Sequence, residues 1–126
     1  MRKVIKTTEA PQAIGPYSQG IIAAGCVWVS GQVALDPSSG ALVEGGIEEQ
    51  TRQVLNNLRA VLSAAGSDLD HAIRVTIYLA DMGDFQAVNR IYGEAFADAP
   101  PARVTVEVAR LPLDARVEMD VVALAG

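Results

Sequence analysis

Two stretches of strict alternation in the last quarter of the chain limit its fold more than any other feature. Val104, Val106 and Val108 alternate with Arg103, Thr105 and Glu107. After a proline-bearing loop, Val117, Met119, Val121 and Ala123 alternate with Arg116, Glu118 and Asp120. Successive side chains of a strand point to opposite faces, so each stretch reads as a β-strand with one buried apolar face. The polar faces carry a guanidinium, a hydroxyl and carboxylates on neighbouring segments. If the chain holds a small anion, its fixed charge is expected here.

A sheet with one apolar face needs a cover, and the middle of the chain supplies two. Ile47, Thr51, Val54, Leu55, Leu58, Val61, Leu62 and Ala65 recur at three- and four-residue steps, the period of an amphipathic helix. Gly66 ends it as a C-terminal cap. A second helix is expected after Asp84 as N-cap, with the stripe Phe85, Val88, Tyr92 and Phe96 and with Asn89 one turn after Phe85. Gly93 weakens that helix by ~1 kcal/mol relative to alanine. Pro100 and Pro101 end it. Between the helices, residues 72–80 alternate as a strand.

The N-terminal part reads as strands and loops. Residues 4–8 form a short strand, and Gly15-Pro16 bends the chain, leaving Tyr17 on a constrained loop. Residues 21–24 and Cys26–Gln32 form a hairpin about Ala24-Gly25. The order β, β, β, α, β, α, β, β favours an α+β two-layer sandwich with both helices on one face of the sheet. The other face, with Thr76, Tyr78, Thr105 and charged residues, is a surface for self-association. With 126 residues and no internal linker, a single domain over 1–126 is expected.

Composition narrows the function. The net charge of −5 leaves no basic footprint for nucleic acid. The lone Cys26 rules out an internal disulfide and fits a reducing, cytoplasmic compartment. No signal peptide and no membrane-length apolar run is read. GxxxxGK[ST], HExxH and CxxC are all absent, and one Cys with one His gives little to hold zinc, so no metal is expected.

Each candidate residue has two readings. Arg103 either pairs with Glu118 or Glu107, or clamps a substrate carboxylate with its guanidinium fork. Glu118 is a general base or an arginine partner. Tyr17 donates to a ligand or packs its loop. Asn89 satisfies local backbone groups or binds a ligand. Gly31 relieves crowding or admits a ligand close to the backbone. His71 reads as a surface histidine and Cys26 as a small strand residue.

Several segments together resemble the RidA branch of the Rid (YjgF-type) family. These are Ile14-Gly15-Pro16-Tyr17-Ser18-Gln19-Gly20, Val29-Ser30-Gly31-Gln32, Val75-Thr76-Ile77-Tyr78-Leu79-Ala80-Asp81-Met82, Phe85-Gln86-Ala87-Val88-Asn89 and Pro101-Ala102-Arg103-Val104-Thr105-Val106-Glu107-Val108-Ala109-Arg110-Leu111-Pro112. The resemblance covers nearly the whole chain in order. It implies a chorismate-mutase-like fold and a homotrimer with sites in clefts between subunits. The implied activity is hydrolysis of reactive enamine/imine intermediates, such as aminoacrylate from pyridoxal-phosphate enzymes, to 2-keto acids and ammonia. No metal or organic cofactor is implied. Arg103 then matches the carboxylate-holding arginine and Glu118 the glutamate that positions water. Tyr17, Ser30, Gly31 and Asn89 match pocket positions. Thr105 stands where many relatives carry cysteine, which puts any thiol role in doubt. The competing expectations are a non-catalytic keto-acid-binding or chaperone-like trimer, and a ribonuclease or translation inhibitor. The acidic balance argues against the last.

Overall fold

The computed structural model describes residues 1–96 and 98–126. The strands are β1 (Lys3–Ile5), β2 (Gly20–Ala23), β3 (Cys26–Gln32), β4 (Ala72–Leu79), β5 (Ala102–Glu107) and β6 (Val117–Leu124). The helices are α1 (Ile47–Ala64) and α2 (Phe85–Ala95). The strands form one sheet in the order β1-β2-β3-β6-β4-β5. Among the described residues, only the β4–β5 pair is parallel, as expected when helix α2 lies between the two strands in sequence. The sheet is therefore mixed, with both helices on one face, in agreement with the expected α+β sandwich.

Local chemistry accounts for the elements. The β2–β3 hairpin turns through Ala24 (φ 53°) and Gly25 (φ 73°), a left-handed pair whose twist suits a two-residue hairpin. Helix α1 starts with the Glu49 carboxylate accepting from Gly46 N at 2.7 Å. It ends where Gly66 (φ 77°) reverses the chain, with Ser67 N bonded to Leu62 O at 2.9 Å and Gly66 N to Ser63 O at 3.0 Å. Val54, Leu55, Leu58, Val61 and Leu62 of this helix are buried with Val27, Val29, Met119 and Val121 of the central strands. Burying one such side chain contributes about 1.5–3 kcal/mol, so this layer dominates stability.

Four expectations are corrected. The valine face of β5 is not the buried one: Val104 and Val106 are 39% and 37% exposed. Arg103, Thr105 and Glu107 pair with the buried Val75, Ile77 and Leu79, so they share the helix-covered face. Alternation separates two faces without saying which is inward, and β5 is an edge strand, where the helical layer is thinnest. Thr105 thus leaves the open face, which instead carries Thr76, Tyr78, Val104 and Val106. Strand β1 ends at Ile5, because the backbone of Thr7 bonds the side chain of Gln19 rather than a neighbouring strand. Finally, Asp84 stands at the N-cap of α2 as expected, but its side chain makes no capping bond; its carboxylate accepts from Arg116 Nη2 at 2.8 Å instead.

Candidate functional site

Arg103 lies at the edge of the sheet, against helix α2. Its Nη1 donates to Asn89 Oδ1 at 2.7 Å. Its guanidinium carbon lies 4.9 Å from the centre of the Tyr92 ring and 5.5 Å from that of Phe85. Phe85, Asn89 and Tyr92 follow at steps of four and three, so one face of α2 presents a ring, an amide and a second ring. Cation–π contacts of this kind contribute about 0.5–1 kcal/mol each at exposed sites. More usefully, they orient a guanidinium that remains solvent-exposed. The expected ion pair with Glu118 or Glu107 is not formed; Glu107 accepts from Met82 N instead, at 2.7 Å. Asn89 serves Arg103 rather than local backbone. Nearby lie two buried hydroxyls, Thr105 Oγ1 and Tyr92 Oη, which have no hydrogen-bond partner among the described residues. Burial holds the Tyr92 phenol above its ordinary pKa, and Arg103 partly offsets this.

Glu118 sits elsewhere. It lies between the buried Val117 and Met119 of β6, so it projects from the open face. Its carboxylate covers Gly31, in the irregular segment where the β3–β6 register shifts between Val29 and Gln32. A Cβ at Gly31 would collide with that carboxylate, meeting Cδ at 3.0 Å. Glycine therefore lets the Glu118 carboxylate lie against the β3 backbone, and a larger residue would displace it, a role the sequence left open. Burial raises the pKa of Glu118, and the nearby Asp120 raises it further. Asp120 itself accepts from Tyr78 Oη at 2.9 Å.

Tyr17, Ser30 and Gly31 border the same cleft as Glu118, a cavity of about 500 Å³. Ser30 Oγ donates to the Ser18 carbonyl, which ties the β3 bulge to the Tyr17 loop. Tyr17 Oη accepts from Ile14 N at 3.4 Å, and the ring is about half exposed toward the cleft. Leu113, which also lines the cleft, occupies a left-handed conformation (φ 59°), as does Asp114 after it (φ 55°). For non-glycine residues each costs roughly 1–2 kcal/mol.

Sequence reasoning missed Gln19. It is 3% exposed, yet its amide is well bonded. Thr7 N donates to Oε1 at 2.7 Å, and Nε2 donates to Thr7 O at 3.0 Å and Pro11 O at 2.7 Å. Ser30 N donates to the Gln19 carbonyl at 3.0 Å. This one side chain fixes the N-terminal loop over the cleft. The available signal was a glutamine directly ahead of an apolar strand; its partners lie too far back in sequence to be inferred.

The structure thus gathers Tyr17, Ser30, Gly31 and Glu118 in one cleft, and Arg103, Asn89 and Thr105 on the opposite side of the sheet. It does not unite the two groups within one chain. His71 pairs with Asp68, Nδ1 to Oδ1 at 2.7 Å, and neither it nor Cys26 borders the cleft. Among the described residues, no group of His, Cys, Asp and Glu converges as metal ligands, and no helix is long and apolar enough to cross a membrane.

Known proteins match this chain along its length. The family described as Endoribonuclease L-PSP matches residues 7–125. The 2-iminobutanoate/2-iminopropanoate deaminase of Mus musculus is 50% identical over 126 residues, covering 100% of this chain and 93% of that protein. A Rid-family protein of unknown function from Yersinia pestis superposes with a TM-score of 0.95 at 46% identity, covering 98% of this chain and 99% of the other. TdcF of E. coli, solved with bound serine, superposes with a TM-score of 0.93 at 36% identity over 98% and 99% of the two chains.

Proposed function

Given that the chain belongs to the Endoribonuclease L-PSP family, the Rid or YjgF-type family, we propose that it hydrolyses 2-imino acids and their enamine tautomers to 2-keto acids and ammonia. The observation that carries this reading is Glu118, a half-buried carboxylate with a raised pKa at the wall of a cleft, covering a glycine that leaves it room. Deaminases of this name at 45–50% identity support the family activity.

The chemistry demands little of the protein. A protonated imine carbon is already electrophilic, so it needs a placed water and a proton acceptor more than a strong nucleophile. Glu118 takes a proton from water as the oxygen adds to the imine carbon. Glu118 passes that proton to nitrogen and, ionised again, takes the proton of the new hydroxyl as the C–N bond breaks, so that ammonia leaves as the carbonyl forms and the second proton goes to ammonia or solvent. Tyr17 lends a hydroxyl hydrogen bond. Arg103 holds the substrate carboxylate through two parallel N–H···O bonds.

Arg103 and Glu118 of one chain face away from each other, so the site takes them from neighbouring copies. A homotrimer with clefts between subunits meets this need. The exposed Val104 and Val106 on the open face are the surface it covers.

The test couples an amino-acid oxidase, which makes imino acids in place, to this protein, and follows ammonia and keto acid. The reading predicts faster release of both than the oxidase alone allows. An unchanged rate would defeat it. An RNA-cleavage assay run beside it is expected to be negative, since the net charge of −5 opposes phosphate binding.

A further inference from the structure

The cleft beside Glu118 carries more apolar lining than 2-iminopropanoate needs. Its volume of about 500 Å³ lies in the range of sites that hold drug-sized ligands. Two large aliphatic side chains line it while remaining open to solvent: Ile14 at 75% and Leu113 at 58% exposure. Pro11 and Pro112 stiffen the walls behind them. Leu113 is also the residue that the backbone holds in a left-handed conformation, where glycine or asparagine fits better.

The loop around Leu113 is over-determined, so its position is fixed rather than chosen by its own preference. Leu111 and Ala115 are buried at its two ends. Ala115 N donates to Pro112 O at 3.0 Å, and Arg110 Nε donates to Asp114 Oδ1 at 3.0 Å. A strained, solvent-exposed leucine at a cleft wall is an outlier that asks for a role in binding. Ile14, also on the cleft lining, donates its N–H to Tyr17 Oη at 3.4 Å just before the Gly15-Pro16 bend.

We propose that Leu113 and Ile14 form a subsite for the apolar side chain of the substrate, so that branched aliphatic and aromatic 2-imino acids and 2-keto acids are preferred over the methyl-bearing ones. This deepens the hydrolytic reading above and rests on it. The reacting carbon sits at Glu118 and its substituent extends between Leu113 and Ile14, where added methylenes displace water from apolar walls.

The test is calorimetric titration of the full-length protein with pyruvate, 4-methyl-2-oxopentanoate and phenylpyruvate. The two larger acids are expected to bind at least ~10-fold more tightly than pyruvate. Leu113→Asn tolerates the left-handed backbone but removes the apolar contact, and Ile14→Ala shortens the other wall. Each is expected to lower the ratio of affinities, large acid over pyruvate, by about threefold or more. Equal affinity for all three acids, or variants that leave the ratio unchanged, would overturn the subsite. The imine assay separates this from the parent reading. Selective binding without turnover keeps the subsite and removes the hydrolysis. Turnover indifferent to side chain keeps the hydrolysis and removes the subsite.

Discussion

Arg103 and Glu118 project from opposite faces of one sheet, on the two strands that flank β4. A 2-imino acid carries its carboxylate on the carbon next to the imine. One chain therefore cannot bring its own Arg103 and its own Glu118 to the same small molecule. The proposed site needs a second copy.

Removing the clamp isolates carboxylate binding. A hydrogen bond to a charged group contributes about 1.5–3 kcal/mol, so Arg103→Ala should lower kcat/KM for carboxylate imines at least ~10-fold. Arg103→Lys keeps the charge but loses the fork, and should recover only part. Neutral imines should be poor substrates of the parent and show little further loss. A folded Arg103→Ala protein with parental kcat/KM would remove the clamp.

Glu118 makes a pH prediction with a definite sign. Its pKa is raised above the ordinary glutamate value by burial first and by Asp120 second. As a base it works only when ionised, so kcat/KM should fall on the acid side along a limb displaced upward from that ordinary value. Asp120→Asn should move the limb down, and Glu118→Gln should abolish it and slow turnover. The same shift bears on stability. The folded state binds the Glu118 proton more tightly than the unfolded chain does, so stability is lost as pH rises through the unfolded value toward the folded one. Glu118→Gln should therefore raise Tm at pH 7, with the gain shrinking at low pH. An acid limb identical in parent and Glu118→Gln would show that the base is another group.

The open face predicts assembly. Light scattering at micromolar protein should give three times the chain mass. Val106→Asp, which places a charge on an exposed apolar position of that face, should reduce the mass and the imine activity together, while far-ultraviolet circular dichroism stays unchanged. A parent monomer at that concentration, or a monomeric variant of full activity, would contradict the shared site.

Much of the fold was legible because periodicity is local. The steps of α1, the alternation of β4 and β6 and the Ala24-Gly25 hairpin each depend on residues close in sequence. What was not legible depended on register. Val104 and Val106 look like core residues until pairing with β4 puts Arg103 beside Val75. Asp84 looks like a side-chain cap until Arg116, remote in sequence, reaches its carboxylate. Tyr17, Ser30, Gly31, Asn89, Arg103, Thr105 and Glu118 were legible as candidates, largely through resemblance. Their division into two groups was not, because no spacing in the sequence reports on which face a strand is covered. Gln19 escaped for the same reason: its partners are assembled by the fold.

One working site, on the proposal above, takes Arg103 from one copy and Glu118 from the next. Subunit mixing tests it most directly. Arg103→Ala and Glu118→Gln chains, each nearly inactive alone, are co-expressed in equal amounts and purified as mixed assemblies. Random mixing in a ring of head-to-tail contacts restores an intact pair at about one site in four. A shared site should therefore recover about a quarter of the parental imine hydrolysis. Activity no greater than the average of the two separate mutants would contradict it.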